Sequence, residues 1–136
     1  MSRRVLVDSG ALLAMADPRD AHYAAAREFL KDQQAAYVVP DTVFCEAMTL
    51  IKSRLGAAAA VSVGSRVQES TLFQVQYLRP DDHDATWRVF ARYTDKGWSY
   101  VDCSILALAQ VRGIGEVFAF DQHYDQMAGL GLTRVP

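Results

Sequence analysis

Short apolar runs alternate along the chain with longer segments whose apolar residues recur every three or four positions. Short β-branched runs bounded by turn residues predict buried strands, whereas the longer spacing predicts amphipathic helices. Strands are predicted at residues 5–7, 37–39, 72–78 and 117–120, with an edge strand at 132–135. Helices are predicted at residues 11–16, 21–34, 42–55, 57–69, 84–96, 102–112 and 121–128, and Gly97 is predicted to cap the helix at 84–96.

Strands that alternate with helices through short connections predict a parallel sheet with helices on both faces. The expected fold class is therefore α/β, a three-layer α/β/α sandwich with a central parallel sheet. At 136 residues, 51% of them hydrophobic, the chain is expected to form a single domain, residues 1–136, around one core. Sheets of this kind bind their ligands at the carboxyl ends of the strands.

The net charge and the cysteines exclude few classes of function. A net charge of −2 and a pI near 5.9 do not indicate a nucleic-acid binder, unless bound cations neutralise some of the acids. Arg3 and Arg4 precede an apolar stretch, as in a secretory signal, but Asp8 interrupts that stretch and no membrane-spanning run follows. We expect a cytoplasmic protein in which Cys45 and Cys103 are reduced core residues.

Four acidic residues occupy positions that the predicted fold brings to one place. Asp8 directly follows the first predicted strand, and Asp121 directly follows the fourth, so both are expected at the carboxyl edge of the sheet. Asp102 begins the buried helix at 102–112. At 100° per residue, Glu46 lies at the margin of the apolar stripe of its own helix. None of the four is expected on a freely solvated face.

Carboxylates that are desolvated together need a cation, because they are costly to bury and they repel each other. Hard Mg²⁺ or Mn²⁺ prefers such oxygen ligands. A bound ion of this kind lowers the pKa of water and stabilises charge on a reacting phosphodiester. Ser9, directly after Asp8, is placed to orient a carboxylate or to touch a phosphate. The pattern therefore indicates metal-dependent phosphodiester hydrolysis.

Each acid can also be explained by a structural role alone. Asp8 suits a turn, Asp102 and Asp121 suit helix N-caps, and Glu46 suits a partly buried partner of an arginine. Independent caps, however, need not all follow apolar runs at the same edge of one sheet. Taken together, the four positions favour a shared site.

Four segments carry a family resemblance, and they are VLVDSGALLA, PDTVFCEAM, SYVDCSILALA and VFAFDQHYDQMAGL. In this order and spacing they resemble the PIN-domain family, and in particular its compact bacterial VapC-type members, over essentially the whole chain. The last two segments are the most specific. The resemblance implies an α/β/α fold and a Mg²⁺- or Mn²⁺-dependent endoribonuclease.

The resemblance also implies residues and partners. The family's acidic positions correspond to Asp8, Glu46, Asp102 and Asp121. Asp125, one helical turn after Asp121, is implied as an accessory ligand, and Ser9 stands where many relatives have threonine. The relatives that look most similar are homodimeric toxins held inactive by a cognate antitoxin, which often occludes the acidic pocket with a basic side chain.

Several alternatives stay open at this stage. The chain could be a catalytically silent PIN-fold binding module, a PIN-like nuclease outside a toxin–antitoxin system, or an enzyme that cuts DNA. A haloacid-dehalogenase-like phosphohydrolase is a further alternative, but its chemistry requires a DxD pattern after the first strand. Asp8-Ser9-Gly10 lacks the second aspartate of that pattern. Arg88, Arg92 and Lys96 form a basic stripe at i, i+4 spacing, which predicts a solvated face unless it lies beside the acidic pocket.

Overall fold

The fold is described from a computed structural model, in which residues 3–31 and 34–136 are placed. These residues form five strands: β1 (Arg3–Val7), β2 (Ala35–Pro40), β3 (Phe73–Gln76), β4 (Glu116–Phe118) and β5 (Thr133–Val135). They make one sheet in the order β3-β2-β1-β4-β5, and every neighbouring pair is parallel. The predicted edge strand is confirmed, since β5 lies at one end of this sheet.

The helices fill the connections between the strands. They are α1 (Ser9–Ala16), α2 (Tyr23–Lys31), α3 (Asp41–Leu55), α4 (Ala57–Glu69), α5 (Pro80–Arg92), α6 (Tyr100–Arg112) and a 3₁₀ helix (Gln122–Leu130). Helix α3 packs against α1 and α4, and α5 packs against α6. The predicted three-layer α/β/α sandwich is confirmed. Within the described residues, no helix is both long enough and apolar enough to cross a membrane.

Strand β1 is the centre of the sheet and of the core. Val5, Leu6 and Val7 are fully buried, and helix α6 is buried throughout residues 103–109. A parallel strand covered on both faces is apolar at every position rather than at alternate ones. Since each fully buried aliphatic side chain contributes about 1.5–3 kcal/mol, this central strand and α6 fix the fold.

Helix α5 corrects one prediction. It begins at Pro80 instead of residue 84, and the predicted cap Gly97 lies well beyond its end. Proline fits the first helical position, where its missing N–H needs no partner. The Asp82 carboxylate also accepts a hydrogen bond of 2.9 Å from the backbone N–H of Arg79, which caps the helix. The turn signal around Pro80 is therefore the start of a helix and not simply the end of a strand.

The other end of α5 follows from the burial of Trp98. The helix ends before Tyr93, and the chain then forms a turn. A hydrogen bond of 3.1 Å from the backbone N–H of Lys96 to the carbonyl of Tyr93 closes this turn. Trp98 is buried, its ring centroid lies 5.0 Å from that of Tyr93, and its indole N–H donates to Gln126 at 2.9 Å. Continuing the helix to residue 96 would carry this indole away from the core.

Other boundaries also differ from the sequence patterns, among them three C-terminal ends. Helix α2 ends at Lys31, short of the predicted residue 34, and residues 32 and 33 lie outside the described part of the chain. Strand β4 ends at Phe118, before the predicted residue 120. The predicted short helix at 121–128 is a 3₁₀ helix that continues to Leu130.

The two cysteines differ in their surroundings. Cys103 is buried as predicted, and burial, together with the charge of Asp102, raises the pKa of its thiol to about 11. Cys45 is exposed, so its predicted core position is wrong. It stands two residues after the buried Val43, about 200° further round the helix, which turns it to the solvent side of α3.

An ion pair with a buried carboxylate and a partly exposed arginine joins α5 to α6. Asp82 is 4% exposed, and its Oδ2 atom accepts a hydrogen bond of 2.8 Å from the guanidinium of Arg112. The same carboxylate caps α5, so it is satisfied from two elements at once. Removing it would leave the cation of Arg112 without this partner and the helix without its cap.

We predict that Asp82→Ala lowers the free energy of unfolding by about 2 kcal/mol, because the variant loses the cap of α5 and the charged hydrogen bond to the partly exposed Arg112. Urea denaturation of the purified protein measures this. Asp84→Ala, an exposed carboxylate on the same helix, is the matched control and should change the stability by less than about 0.5 kcal/mol. Equal effects of the two variants would contradict the structural importance of the pair.

Candidate active site

Asp8 lies at the carboxyl end of β1, as predicted. Its backbone N–H donates to the carbonyl of Phe118 at 3.0 Å, which ties it to the end of the neighbouring strand β4. Asp8 is also the residue before α1, yet its side chain makes no capping hydrogen bond to that helix. With only 6% of the residue exposed, its carboxylate lies in the interior of the sheet edge rather than in a surface turn.

Asp102 reaches the same place from α6. Ser99 caps this helix, and its hydroxyl accepts a hydrogen bond of 3.0 Å from the N–H of Asp102. In return, Oδ2 of Asp102 accepts one of 2.9 Å from the N–H of Ser99. Asp102 is therefore the third residue of the helix in a capping box, not the N-cap itself. The box fixes the direction of its carboxylate at the first turn.

A tyrosine that sequence reasoning missed joins these two acids. Tyr124, in the 3₁₀ helix, is fully buried, and its hydroxyl lies 3.0 Å from Oδ1 of Asp8 and 3.1 Å from Oδ1 of Asp102. Burial, and the two carboxylates beside it, raise the pKa of Tyr124 far above its ordinary value, so the hydroxyl keeps its proton. Its position three residues after Asp121 was the available signal in the sequence.

Glu46 comes to the pocket from α3. Its Oε1 atom accepts a hydrogen bond from the hydroxyl of Ser9, the buried first residue of α1. Of the two roles predicted for Ser9, the structure shows the orientation of a carboxylate. The alternative interpretation of Glu46 as the partner of an arginine has no contact to support it within the described residues.

Asp121 and His123 form the outer side of the pocket. Asp121 caps the 3₁₀ helix, because its Oδ1 accepts a hydrogen bond of 2.8 Å from the N–H of His123. Its side chain is half exposed, and so it is the most solvated of the four acids. Nδ1 of His123 lies 3.4 Å from Asp121 and 3.9 Å from Asp102, and it has no hydrogen-bond partner among the described residues.

A cavity of about 480 Å³ lies at the carboxyl edge of the sheet, and Tyr124 is buried behind the residues that line it. All four predicted acids contribute to it: Asp8, Glu46, Asp102 and Asp121. The predicted basic stripe does not, since Arg88, Arg92 and Lys96 lie elsewhere. A different cation, Arg54 of α3, lies on the wall of the cavity, two helical turns beyond Glu46, and is exposed.

The acids share the cavity without forming a closed ligand cage. Among residues 3–31 and 34–136, no three His, Cys, Asp or Glu side chains lie close enough together to hold a metal ion directly. Mg²⁺ keeps several of its waters and is commonly bound through one or two carboxylates. The oxygen-only donor set and the paired oxygens of Asp8 and Asp102 therefore suit a hydrated divalent ion.

Asp125, the accessory ligand implied by the resemblance, lies apart from this cavity. Its two carboxylate oxygens accept hydrogen bonds of 2.9 and 3.1 Å from the guanidinium of Arg134. This contact lowers the pKa of Asp125, as expected for a carboxylate held by a cation. Because the side chain is turned toward β5, we leave it out of the proposed ligand set.

The protonation of Asp8 reflects its burial. Burial and, to a smaller extent, the neighbouring charge of Asp102 raise the pKa of Asp8 to about 6, although the Tyr124 hydroxyl and the backbone N–H groups of Ser9 and Gly10 oppose the shift. In the unfolded chain the same carboxyl titrates near 3.8. Folding without a cation is therefore opposed by the ionisation of Asp8 at neutral pH.

We predict that metal-free protein becomes less stable as the pH rises from about 4 to about 6, by about 2 kcal/mol from this group. The sign follows because the folded state holds the Asp8 proton more tightly than the unfolded state. Asp8→Asn removes this dependence, so the variant should be more stable than the parent at pH 7 by about 2 kcal/mol and equally stable near pH 4.

Urea denaturation in a chelating buffer across this pH range checks the Asp8 prediction. The exposed Asp84→Asn serves as the control, and its stability should follow that of the parent at every pH. If Asp8→Asn is less stable than the parent at pH 7, burial of the ionised carboxylate does not destabilise the folded protein, and the prediction is wrong.

The chain is similar in sequence to a known protein family and to a curated nuclease. Residues 5–130 match the PIN domain family. The curated 23S rRNA-specific endonuclease VapC20 of Mycobacterium tuberculosis is 26% identical over 117 residues, which are 86% of this chain and 88% of that protein.

Solved structures show the same architecture. The crystal structure of M. tuberculosis VapC20, described as a sarcin–ricin loop cleaving toxin, aligns with a TM-score of 0.86 and 24% identity, over 96% of this chain and 98% of that one. A toxin–antitoxin complex from Klebsiella pneumoniae aligns with a TM-score of 0.68 and 18% identity, over 95% of each chain. The family match over residues 5–130, together with this shared fold, shows that the chain belongs to the PIN domain family.

Proposed function

We propose that this chain is a metal-dependent endoribonuclease that hydrolyses RNA phosphodiester bonds, and that it acts as the toxin of a type II toxin–antitoxin pair. One observation carries the proposal: in a chain of the PIN domain family, the four predicted carboxylates line a single cavity at the carboxyl edge of the sheet, together with Asp20. A related protein of similar length, VapC20, is an endonuclease specific for 23S rRNA.

PIN-domain nucleases generally depend on divalent metal ions, and we propose Mg²⁺ for this chain, with Mn²⁺ able to replace it. Asp8 and Asp102 would hold the ion, Glu46 would join them from α3, and Asp121 would complete the pocket. Bound there, the ion would supply a water of lowered pKa and stabilise negative charge on the phosphodiester. The raised pKa of Asp8 fits this role, because a carboxylate buried beside Asp102 gains from a nearby cation.

The chain's own residues hold the acids and the substrate in place. The Ser9 hydroxyl orients Glu46, and the capping box with Ser99 orients Asp102. Arg54 extends a cation beside these acids, in a position to contact a phosphate of the bound RNA. His123 presents its Nδ1 atom toward Asp102 and Asp121.

The stacked rings at the rim of the cavity suit a nucleic acid. His22 and Phe120 both line the cavity, and their rings are parallel with centroids 4.5 Å apart. Bases of single-stranded or looped RNA stack readily on such rings, whereas bases inside a duplex are not accessible. We therefore propose a single-stranded or looped region of structured RNA as the substrate.

An antitoxin partner is supported by the fold shared with toxin–antitoxin complexes. A second cavity, of about 460 Å³, lies on the other side of α1 from the acids. Its walls are mostly apolar and come from α1, α2, α4 and β3, and its basic residues are Arg27, Lys31 and Arg66. We propose that an apolar antitoxin segment carrying acidic residues binds in this groove and reaches past α1 to cover the acidic cavity.

The remaining proposals concern assembly and location. We propose a homodimer in the cytoplasm, and the exposed aromatic side chains of α5 are consistent with a contact surface. Trp87 and Phe90 are 60% and 39% exposed, and their ring centroids lie 5.9 Å apart. Light scattering of the purified protein measures the oligomeric state.

The residues of the site argue against the alternative that the chain is a catalytically silent binding module. All four acids are present, and Asp8 is buried at a cost in stability that a non-catalytic domain has no physical reason to retain. The alternative of a nuclease outside a toxin–antitoxin pair keeps the same chemistry. Identification of an antitoxin, encoded for example by a short neighbouring reading frame, separates these two possibilities.

We predict that Asp8→Asn and Asp102→Asn each abolish Mg²⁺- or Mn²⁺-dependent cleavage of RNA, by at least about 100-fold, because each removes an anionic ligand. Asp125→Asn is the matched control, since Asp125 is paired with Arg134 outside the cavity, and it should cleave at the parent rate. Gel analysis of cleavage fragments, with and without chelator, is the measurement.

The nuclease proposal is contradicted in two cases. One is a parent protein that cuts no RNA at any concentration of either ion, tested on total RNA and on a ribosomal stem-loop. The other is an Asp8→Asn variant that cuts as fast as the parent.

We predict that the double variant Arg27→Glu/Arg66→Glu lowers affinity for the antitoxin at least about 10-fold, because like charges would then face the acidic segment. RNA cleavage by the free variant should stay at the parent level, since neither residue lines the acidic cavity. Arg88→Glu, another exposed charge reversal, is the control. Unchanged affinity in the double variant would remove the groove from the proposed antitoxin site.

A further inference from the structure

The Tyr124 hydroxyl occupies an unusual position between two carboxylates. It lies 3.0 Å from Oδ1 of Asp8 and 3.1 Å from Oδ1 of Asp102, while the tyrosine itself is fully buried. A phenol carries one proton, so it donates to one of these oxygens at a time. The two acids are therefore joined through a single shared donor.

The three residues come from three different elements. Asp8 follows β1, Asp102 lies in the first turn of α6, and Tyr124 belongs to the 3₁₀ helix after β4. The bond to Asp8 spans 116 positions of the chain. Without this link, the like charges of the two acids would favour side-chain positions further apart.

Space-filling alone does not explain a tyrosine at this position. The ring lies in the core cluster, where phenylalanine would supply the same apolar surface. The hydroxyl adds a polar atom whose burial is unfavourable unless it is hydrogen-bonded, and its hydrogen bonds in the described structure go to the two acids. Its distinctive contribution is thus to the arrangement of Asp8 and Asp102.

The remaining contacts of these acids leave room for a cation. Oδ2 of Asp102 is held by the N–H of Ser99, and a carboxylate oxygen that accepts one hydrogen bond still has a second lone pair. Oδ2 of Asp8 lies beside Gly10, where an added Cβ would stand 3.4 Å away. Tyr124 thus fixes one oxygen of each acid and leaves the other oxygen of Asp8 on the side of the cavity that Gly10 lines.

We infer that Tyr124 is a positioning residue that holds Asp8 and Asp102 together as a prepared pair for the divalent ion. The inference rests on the proposed metal-dependent function and adds a residue to it. Tyr124 acts through the acids and does not touch the reacting phosphate. Hydrogen-bond partners of metal ligands commonly change metal affinity by about 10- to 100-fold when removed.

Tyr124→Phe tests the inference, because it removes the oxygen and keeps the ring. We expect the Mn²⁺ dissociation constant, measured by calorimetry without RNA, to rise about 10-fold. RNA cleavage should fall at limiting Mn²⁺ and recover as Mn²⁺ is raised, while the KM for RNA stays unchanged. A purely structural role would lower the melting temperature without this recovery.

Tyr37→Phe is the matched control. Tyr37 is equally buried and its ring centroid lies 5.2 Å from that of Phe73, in the core and outside the acidic cavity. This variant should bind Mn²⁺ as the parent does, whatever its effect on stability. A loss of Mn²⁺ affinity in both variants would indicate a general effect of core hydroxyls and overturn the specific role of Tyr124.

The outcomes separate the inference from the function on which it rests. A parent protein that binds no Mn²⁺ and cuts no RNA would overturn the proposed function, and the inference with it. A parent that binds Mn²⁺ and cuts RNA, with Tyr124→Phe matching it in both, would overturn the inference alone. A 10-fold rise in the dissociation constant confined to Tyr124→Phe would support it.

Discussion

The burial of the Asp8 carboxylate at the end of the central strand is the constraint on which the site depends. Strand β1 is covered on both faces, so a side chain that directly follows it is withdrawn from water. The cost of this burial appears in the pKa of Asp8, which is raised to about 6. The neighbouring carboxylate of Asp102 contributes to this rise, because a like charge also disfavours the ionised form of Asp8.

The surrounding structure reduces this cost without removing it. Tyr124 supplies one proton to be shared by Asp8 and Asp102, and the capping box of α6 supplies an N–H to Asp102. Glu46 is stabilised separately, by the Ser9 hydroxyl. None of these donors carries a formal charge. The carboxylates that line the cavity, which include Asp20, outnumber its cation Arg54, so the cavity retains an excess of negative charge that a divalent cation would balance.

Much of the fold was predictable because its signals are local. Buried parallel strands are continuous apolar runs, and the acids that follow β1 and β4 mark their carboxyl ends directly. The position of α5 was mispredicted for a reason that is also local but ambiguous: Pro80 both interrupts a strand and begins a helix. The early end of α5 depends on the burial of Trp98, which pattern alone does not show.

The acids of the site and one of their supports were predictable. Asp8, Glu46, Asp102 and Asp121 could be assigned to one edge from strand and helix positions, and the structure does bring them to one cavity, with the Ser9 hydroxyl on Glu46. The contribution of Tyr124 was not predictable, because its bond to Asp8 spans 116 positions and a single tyrosine forms no periodic pattern. Arg54 was missed for the same reason, because its importance lies in the cavity that it faces.

Helix α1 separates the acidic cavity, which is the proposed active site, from the apolar groove, which is the proposed antitoxin site. Ser9, Gly10 and Leu13 face the acidic cavity, while Leu12, Met15 and Ala16 line the apolar groove. The helix is short, so a ligand bound in the groove lies within reach of the acids on its other side. Binding energy gained from apolar contacts in the groove would then position a basic side chain over the carboxylates, where its charge replaces that of the metal ion. On this geometry, the proposed inhibition would need no change in the fold, because the excess of negative charge that would attract the metal ion would also attract the basic side chain of the inhibitor.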